Sequence, residues 1–461
     1  MVRESLFAVF IMYNTRQLFK GIIFSLCLYG LGIGSAEAAS FSFSKVIDTN
    51  TTIEGSNLKF SPNSNDSPVF VGNALNNGNV AFVNIDDISR GVGIYTSING
   101  SITQVADTNT AIPGGTGNFF AFNSPTFDNG SVAFRGFGAT FFPNGSIQLS
   151  QEGIYSNLSG TLSVVADRNT PIPSSTGNFV SFDADPSLDN NVVAFTTNNG
   201  NDSGVYKQEN GLLSVIANRS TVIPGTTSNF ETLDEPVISN RDILFFGSRG
   251  FQENFRSGIY VASNNSLNVI ADDNTPIPGG IGNFNFFDAA NLDNNSVVLK
   301  GGRTTLQGRV QEGIYLENGG SLSLIADLNT PIPDGTGNFS SFIFTAPAID
   351  DGNVAFIGYG SNSQAGLYTT LGGSLSKVID INDTLDGKTF SPFSFTSATL
   401  GREGLSGNQL AFLAEFTDGS QGVYIATLNS TSIPESSTVL SIFAVAALGT
   451  LSKGTRSSKK V

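Results

Sequence analysis

The sequence predicts an all-β fold: a closed seven-bladed β-propeller of four-stranded antiparallel blades, followed by a short apolar helix at the C-terminus. Three observations predict it. A phrase of the type DLNTPIPDGTGNF (327–339) recurs every 51 to 60 residues, starting at Asp48, Asp107, Asp167, Asn218, Asp272, Asp327 and Asp380. Each period holds four short strand-like runs bounded by turn residues. One surplus run precedes the first repeat, and the last repeat lacks its own fourth run.

The phrase reads as the connection from one blade to the next. Its Asp or Asn closes turns on its own backbone with the Asn and Thr that follow, Pro stiffens the crossing, and Gly permits positive φ. The phrase delivers a phenylalanine: Phe60, Phe119, Phe179, Phe230, Phe284, Phe339 and Phe390. A run of F-x-x-F type then ends in a turn such as LDNN (188–191) or DDGN (350–353), with the chemistry of tight hairpins. The second run, VAF, places Phe82, Phe134, Phe195, Phe245, Leu299, Phe356 and Phe412 at one equivalent position. The third, G-[IVL]-Y, does the same for Tyr95, Tyr155, Tyr206, Tyr260, Tyr315, Tyr368 and Tyr424, which is expected of packing residues. The fourth is L-S-x-[VI], as in TLSVVAD (161–167).

The surplus run SFSKVID (42–48) nearly duplicates SLSKVID (374–380), as a strand completing the last blade should. Pairing it there closes the ring and removes two open edges. The order of turn, VAF strand and IY strand resembles that of TolB-like and WD40-like propeller repeats over about 41–427, without the Trp and S-x-R elements common there.

Antiparallel order puts the four-to-one and two-to-three connections on one face, here called the upper face. The two-to-three loops (135–151, 247–257 and 300–311) are the individual ones. They are expected to bring Arg135, Arg249, Arg256, Lys300, Arg303 and Arg309, with Phe141, Phe142, Phe251 and Phe255, onto that face, a composition suited to recognition. Solvated loops over buried phenylalanines are the plain alternative.

The chain has 461 residues and a formal charge of −15, with no His and no Trp. Absence of His excludes imidazole metal sites and His-based triads, and the acidic balance argues against a nucleic-acid partner. D-x-N-T could offer oxygen ligands to Ca²⁺, but one copy reads Asn218-Arg219 and no further acid recurs in step, so a turn is favoured and no cofactor is expected. Carboxylate chemistry stays open: Glu152 and Glu312, in two copies of QEGIY, are candidates for a glycan hydrolase or lyase. Their repetition also reads as shared ancestry of one strand.

Both ends read as processing segments. Arg16 and Lys20 precede the apolar run 21–33, and Ala36 and Ala38 suit cleavage of a signal peptide spanning 1–38, with translation starting at Met1 or Met12. The single cysteine, Cys27, falls inside it. After a short linker (428–432), Pro434 and Glu435 lead into the apolar run 439–451 and the basic end Lys453, Arg456, Lys459 and Lys460. That layout, over 433–461, resembles the PEP-CTERM sorting signal of exported bacterial proteins, with Ser436 at the second Pro. The resemblance implies an exosortase-type processing protease, transient membrane association through 439–451, and a destination at the cell surface or in the extracellular matrix; an ordinary C-terminal anchor is the alternative. The expected function is that of a non-catalytic propeller binding an envelope glycan or protein.

Overall fold

A computed structural model describes residues 39–51, 70–85, 92–197, 200, 203–250, 256–305, 308, 310–396 and 399–429. The expected signal peptide, the apolar helix and the sorting motif lie outside these residues. Among the described residues no helix is long and apolar enough to cross a membrane.

The described residues form seven antiparallel sheets and one separate two-stranded hairpin. Blade 4 shows the plan: Thr232–Ser239, Asp242–Arg249, Arg256–Ser263 and Ser266–Asp272 lie side by side in chain order. The first strand of each blade touches the first strand of the next all the way round, so these seven strands surround the axis. In blades 2 and 6 the first strand is split, into Phe119–Phe122 with Thr126–Asp128 and Ser341–Phe342 with Ala348–Asp350. Pro125 and Pro347 stand at the breaks. A proline has no N–H to continue a ladder.

The seventh blade is completed as the sequence predicts. Its order is Phe41–Asp48, Gln421–Leu428, Gln409–Glu415 and Leu400–Ser406, with the N-terminal strand in the outermost place. Even the irregularity is preserved. Tyr424 faces Lys45 and Val423 faces Ile47, leaving Val46 as a bulge; in blade 6, Tyr368 faces Lys377 and Leu367 faces Ile379 in the same way. The same bulge explains the glycine of G-[IVL]-Y. A Cβ on Gly153 would lie 2.9 Å from the Ala166 carbonyl oxygen, and one on Gly204 would lie 2.6 Å from that of Ala217. Any side chain there would push the bulged strand off its neighbour.

Within a blade the aromatic residues meet in a fixed pattern. The VAF phenylalanine and the tyrosine are direct cross-strand partners, as for Phe134 with Tyr155 and Phe245 with Tyr260. The phenylalanine ending the phrase meets the same tyrosine edge-on, with ring centres 4.9 Å apart for Phe119–Tyr155 and 5.0 Å for Phe339–Tyr368. Edge-to-face pairs are worth about 0.5–1.5 kcal/mol beyond their burial. Burial pushes the phenols of Tyr260 and Tyr315 up to about 12, so they are neutral packing groups. The phrase itself folds as expected of a turn. In its second copy the Asn109 N–H and the Thr110 hydroxyl both donate to Asp107 Oδ1, at 3.0 and 2.7 Å.

The one-to-two turns do more than the local hairpin chemistry predicted for them. The last side chain of each first strand reaches the neighbouring blade, and six of the seven accept from a backbone N–H of its turn. Asp128 binds Asn190 N–H (2.9 Å), Asp189 binds Asn240 (2.6 Å) and Ser239 binds Asn294 (2.8 Å). Asp293 binds Asp351 (2.7 Å), Asp350 binds Gly407 (2.6 Å) and Ser406 binds Asn77 (3.2 Å). Asn76 Nδ2 donates to Asp128 at 3.3 Å and completes the circle. The lower face therefore carries a continuous belt of hydrogen bonds that joins every blade to its neighbours.

Deleting residues 39–48 should expose an edge in blade 7 and lower the melting temperature by roughly 10 °C or more, since the strand supplies a full ladder and buries Ile47. Truncation after 429 should leave melting almost unchanged. Equal melting of the two deletions by scanning calorimetry would rule out closure by the N-terminal strand.

Candidate functional site

The first strand of blade 7 is LGREGLS (Leu400–Ser406). Leu400 faces Phe412 and Leu405 faces Leu410, so residues 401–404 bulge from the ladder opposite the single residue Ala411. The bulge crosses the axis. Arg402 Nη1 donates to the Pro236 carbonyl and Nη2 to that of Pro186, both at 3.3 Å. Glu403 accepts from the Thr126 hydroxyl at 2.5 Å and from the Phe127 N–H at 3.0 Å. Asn291 donates to the Arg402 carbonyl at 2.8 Å and to that of Pro347 at 3.2 Å. Blade 7 is thus tied through the axis to blades 2, 3, 4 and 5, and Asn291 adds blade 6.

At this plug lies a cavity of about 430 Å³, lined by first-strand residues that include Asn123, Ser124, Asp185, Glu235, Phe344 and Arg402. Three carboxyl groups belong to it. Glu403 is half-buried, and its desolvation raises it above the usual carboxylate range despite Arg402 and the hydrogen bonds from Thr126 and Phe127. Burial likewise raises Asp185, opposed by hydrogen bonds from the Asn123 and Ser124 side chains and by Arg402. Its Oδ1 is buried without a hydrogen-bond partner. Burial raises Glu235 too; Arg402 opposes the rise, while Asp234 and Asp185 add to it. Glu235 sits at φ 49°, a left-handed conformation that costs a non-glycine residue of order 1 kcal/mol or more. A register break between Asp234 and Val237 accommodates it.

Exposed apolar side chains concentrate toward the upper connections. Among the described residues, ten of thirteen exposed large hydrophobic side chains lie in the upper connections or the strand ends leading to them. Of these ten, Phe344 (76% exposed), Phe393 (74%) and Ile281 (79%) are the most open. Blade 2 contributes a long hairpin, Ser131–Phe141 with Ile147–Ser156, whose tip exposes Phe141, Phe142, Ile147 and Leu149.

The residues expected on this face separate into groups. Phe141 and Phe142 are exposed as anticipated. Arg135 is not free: Nε and Nη2 bind Glu152 at 3.0 and 2.6 Å, Nη1 donates to the Asp183 carbonyl, and the guanidinium lies 4.9 Å from the Phe137 ring centre. Lys300 is 1% exposed, 2.5 Å from Asp288 and 3.4 Å from Glu312. Both belong to strands rather than loops, so their charges are spent inside the ring. Arg249 donates to Ser228 Oγ, and Arg303 to the Asn283 carbonyl at 3.2 Å. Arg256 begins a third strand, with its backbone opposite Arg249. Phe251, Phe255 and Arg309 lie outside the described residues, as do Pro434, Glu435, Lys453 and Arg456.

Glu152 and Glu312 do not form a pair. Glu152 accepts from Arg135, from Arg168 (2.7 Å) and from the Phe182 N–H (3.1 Å) of blade 3; Glu312, in blade 5, accepts from the Phe342 N–H (2.9 Å) of blade 6. Each latches its blade to the next. The residues that do converge were missed in the sequence. Their signals were the proline recurring after the phrase in N-S-P, A-D-P, D-E-P and T-A-P, and the charged pair Arg402-Glu403 in a single repeat.

Fold and site together define a closed seven-bladed β-propeller with a carboxyl-rich pocket on its axis. The chain belongs to a family of unknown function (DUF7453), whose pattern covers residues 46–440. A comparison with curated proteins finds no match. Among solved structures, the chain is similar to the β-propeller domain of the Trilobed protease from Pyrococcus furiosus, described as having an open velcro topology. Identity there is 12% and the TM-score 0.45, over 79% of this chain and 99% of that one. It is also similar to the GH74 xyloglucanase from Xanthomonas campestris (11%, TM-score 0.40, 83% and 55%). A third is an α-L-arabinofuranosidase from Clostridium thermocellum (14%, TM-score 0.27, 57% and 94%). These likenesses concern fold alone.

The raised carboxyls set a pH dependence. A group that binds its proton more tightly when folded contributes stability below its unfolded pKa and loses that contribution as pH rises through the folded value. Glu235→Gln removes one such group. It should raise the melting temperature at pH 8, leave it nearly unchanged at pH 4, and reduce the slope between them. A variant that melts like the wild type at every pH would contradict the burial of this carboxyl.

Proposed function

We propose that this propeller is a non-catalytic binding module of the cell surface or extracellular matrix and that it holds an envelope glycan on its upper face. The observation that carries the reading is a polar axial pocket lined by one open aromatic ring, in a propeller whose upper connections carry most of the other exposed apolar side chains. An aromatic platform beside a few convergent polar groups is the ordinary composition of a ligand site. Phe344 belongs to both, since it lines the pocket and presents an open ring. Phe344→Ala combined with Phe393→Ala should weaken retention on host envelope polysaccharide about tenfold while leaving the melting temperature within a few degrees. Undiminished retention would remove the face from consideration.

Enzymatic hydrolysis or lysis is the second reading, favoured by Asp185 and Glu235, which couple to each other in one cavity. Turnover of a glycan panel by the purified protein, abolished in Glu235→Gln, would establish it over simple binding.

The proposal includes the route outward. The N-terminal segment directs export, the basic end beyond the run 439–451 resists translocation, and an exosortase-type protease processes the tail near Pro434. Intact-mass measurement on protein from the native envelope or medium should find a chain ending close to Pro434. A mature chain ending at Val461 would leave an ordinary anchor.

A further inference from the structure

We propose that the axial pocket takes the ammonium group of an amino sugar, so that the glycan held on the upper face is one bearing free amines; this rests on the glycan-binding reading above. The inference begins from a count of charges. Asp185, Glu235 and Glu403 line the cavity with one guanidinium, that of Arg402. Both Nη atoms of Arg402 are committed to the carbonyls of Pro236 and Pro186, and Glu403 is committed to Thr126 and Phe127. Glu235 and Asp185 are the remaining carboxyl groups lining the cavity; Asp185 accepts from the Asn123 and Ser124 side chains, but its Oδ1 is a buried acceptor with no donor.

The group that complements such a site is small, positive and donor-only. An ammonium supplies three N–H donors and no acceptor, and its charge offsets carboxylates that burial has made costly to ionise. A neutral hydroxyl would satisfy Oδ1 but leave the charge; an N-acetyl group would remove the charge, keep a single donor and add an acceptor against the carboxylates. The pocket also suits the rest of a sugar ring. Its volume of about 430 Å³ fits a monosaccharide unit, and Phe344 offers a ring face for the apolar side of a pyranose. Lys300 Nζ lies 4.4 Å from the centre of that ring, and the 76% exposure of Phe344 leaves it accessible from solvent.

The test compares the glucosamine trisaccharide with its fully N-acetylated counterpart by titration calorimetry, using the purified protein at constant pH and salt. The free-amine trisaccharide is expected to bind about tenfold or more tightly, and Asp185→Asn and Glu235→Gln are each expected to lower its affinity by about tenfold while melting cooperatively. If Asp185→Asn does not fold, Glu235→Gln alone carries the comparison. Equal binding of the two trisaccharides would overturn the ammonium assignment and leave the glycan reading standing. Preference for a lysine peptide over the sugar would overturn it in favour of a protein partner. If no glycan binds the upper face at all, both readings fall.

Discussion

Everything in this molecule depends on a ladder between its two ends. Phe41–Asp48 pairs with Gln421–Leu428, residues almost the whole length of the chain apart, and that pairing turns a row of blades into a ring. An open row would expose strand edges and would leave the first strands with no common axis. The closing strand is held to the register and bulge of its six counterparts, so blade 7 packs on blade 1 as any blade packs on its neighbour. Ile47 lies in one apolar cluster with Leu75, Val80, Phe82 and Tyr95 of blade 1.

Closure is reinforced at two heights. On the lower face, the belt of side chains accepting from neighbouring turns lets each blade fix the position of the next. Burial raises Asp189 and Asp350 in this belt, a cost partly offset by the N–H donors of Asn240 and Gly407. Inside the ring, residues 401–404 do the opposite of repetition. One blade departs from the common plan, crosses the axis and binds the backbone carbonyls of Pro186 and Pro236. A symmetric ring has a hole at its centre; this asymmetric insertion fills part of it and supplies charged groups at the axis.

The division of labour among charged residues follows from this arrangement. Arg135, Glu152, Lys300 and Glu312 belong to strands at blade junctions, where each finds an ionic or backbone partner. Their role is to hold blades together. Asp185 and Glu235 sit where the first strands break, at positions whose backbone cannot continue the ladder. Asp185 accepts from the Asn123 and Ser124 side chains of blade 2, and both it and Glu235 line the axial cavity.

The sequence by itself determined what repetition determines. Seven copies of the phrase, the recurring Phe, Gly and Tyr positions and the surplus strand at the front specified the blades, their aromatic packing and the way the ring shuts. Each of these rests on contacts within one blade or between equivalent blades, so the same residue recurs at the same spacing. The site could not be read in that way. Asp185, Glu235, Arg402 and Glu403 come from three repeats, occupy no shared position, and meet only because the ring brings strands more than 150 residues apart to one axis. Arg135 and Lys300 were misplaced for the matching reason. In one dimension a charge at the end of a strand looks like the start of a loop, whereas in the folded ring the neighbouring carboxylate decides whether it reaches solvent.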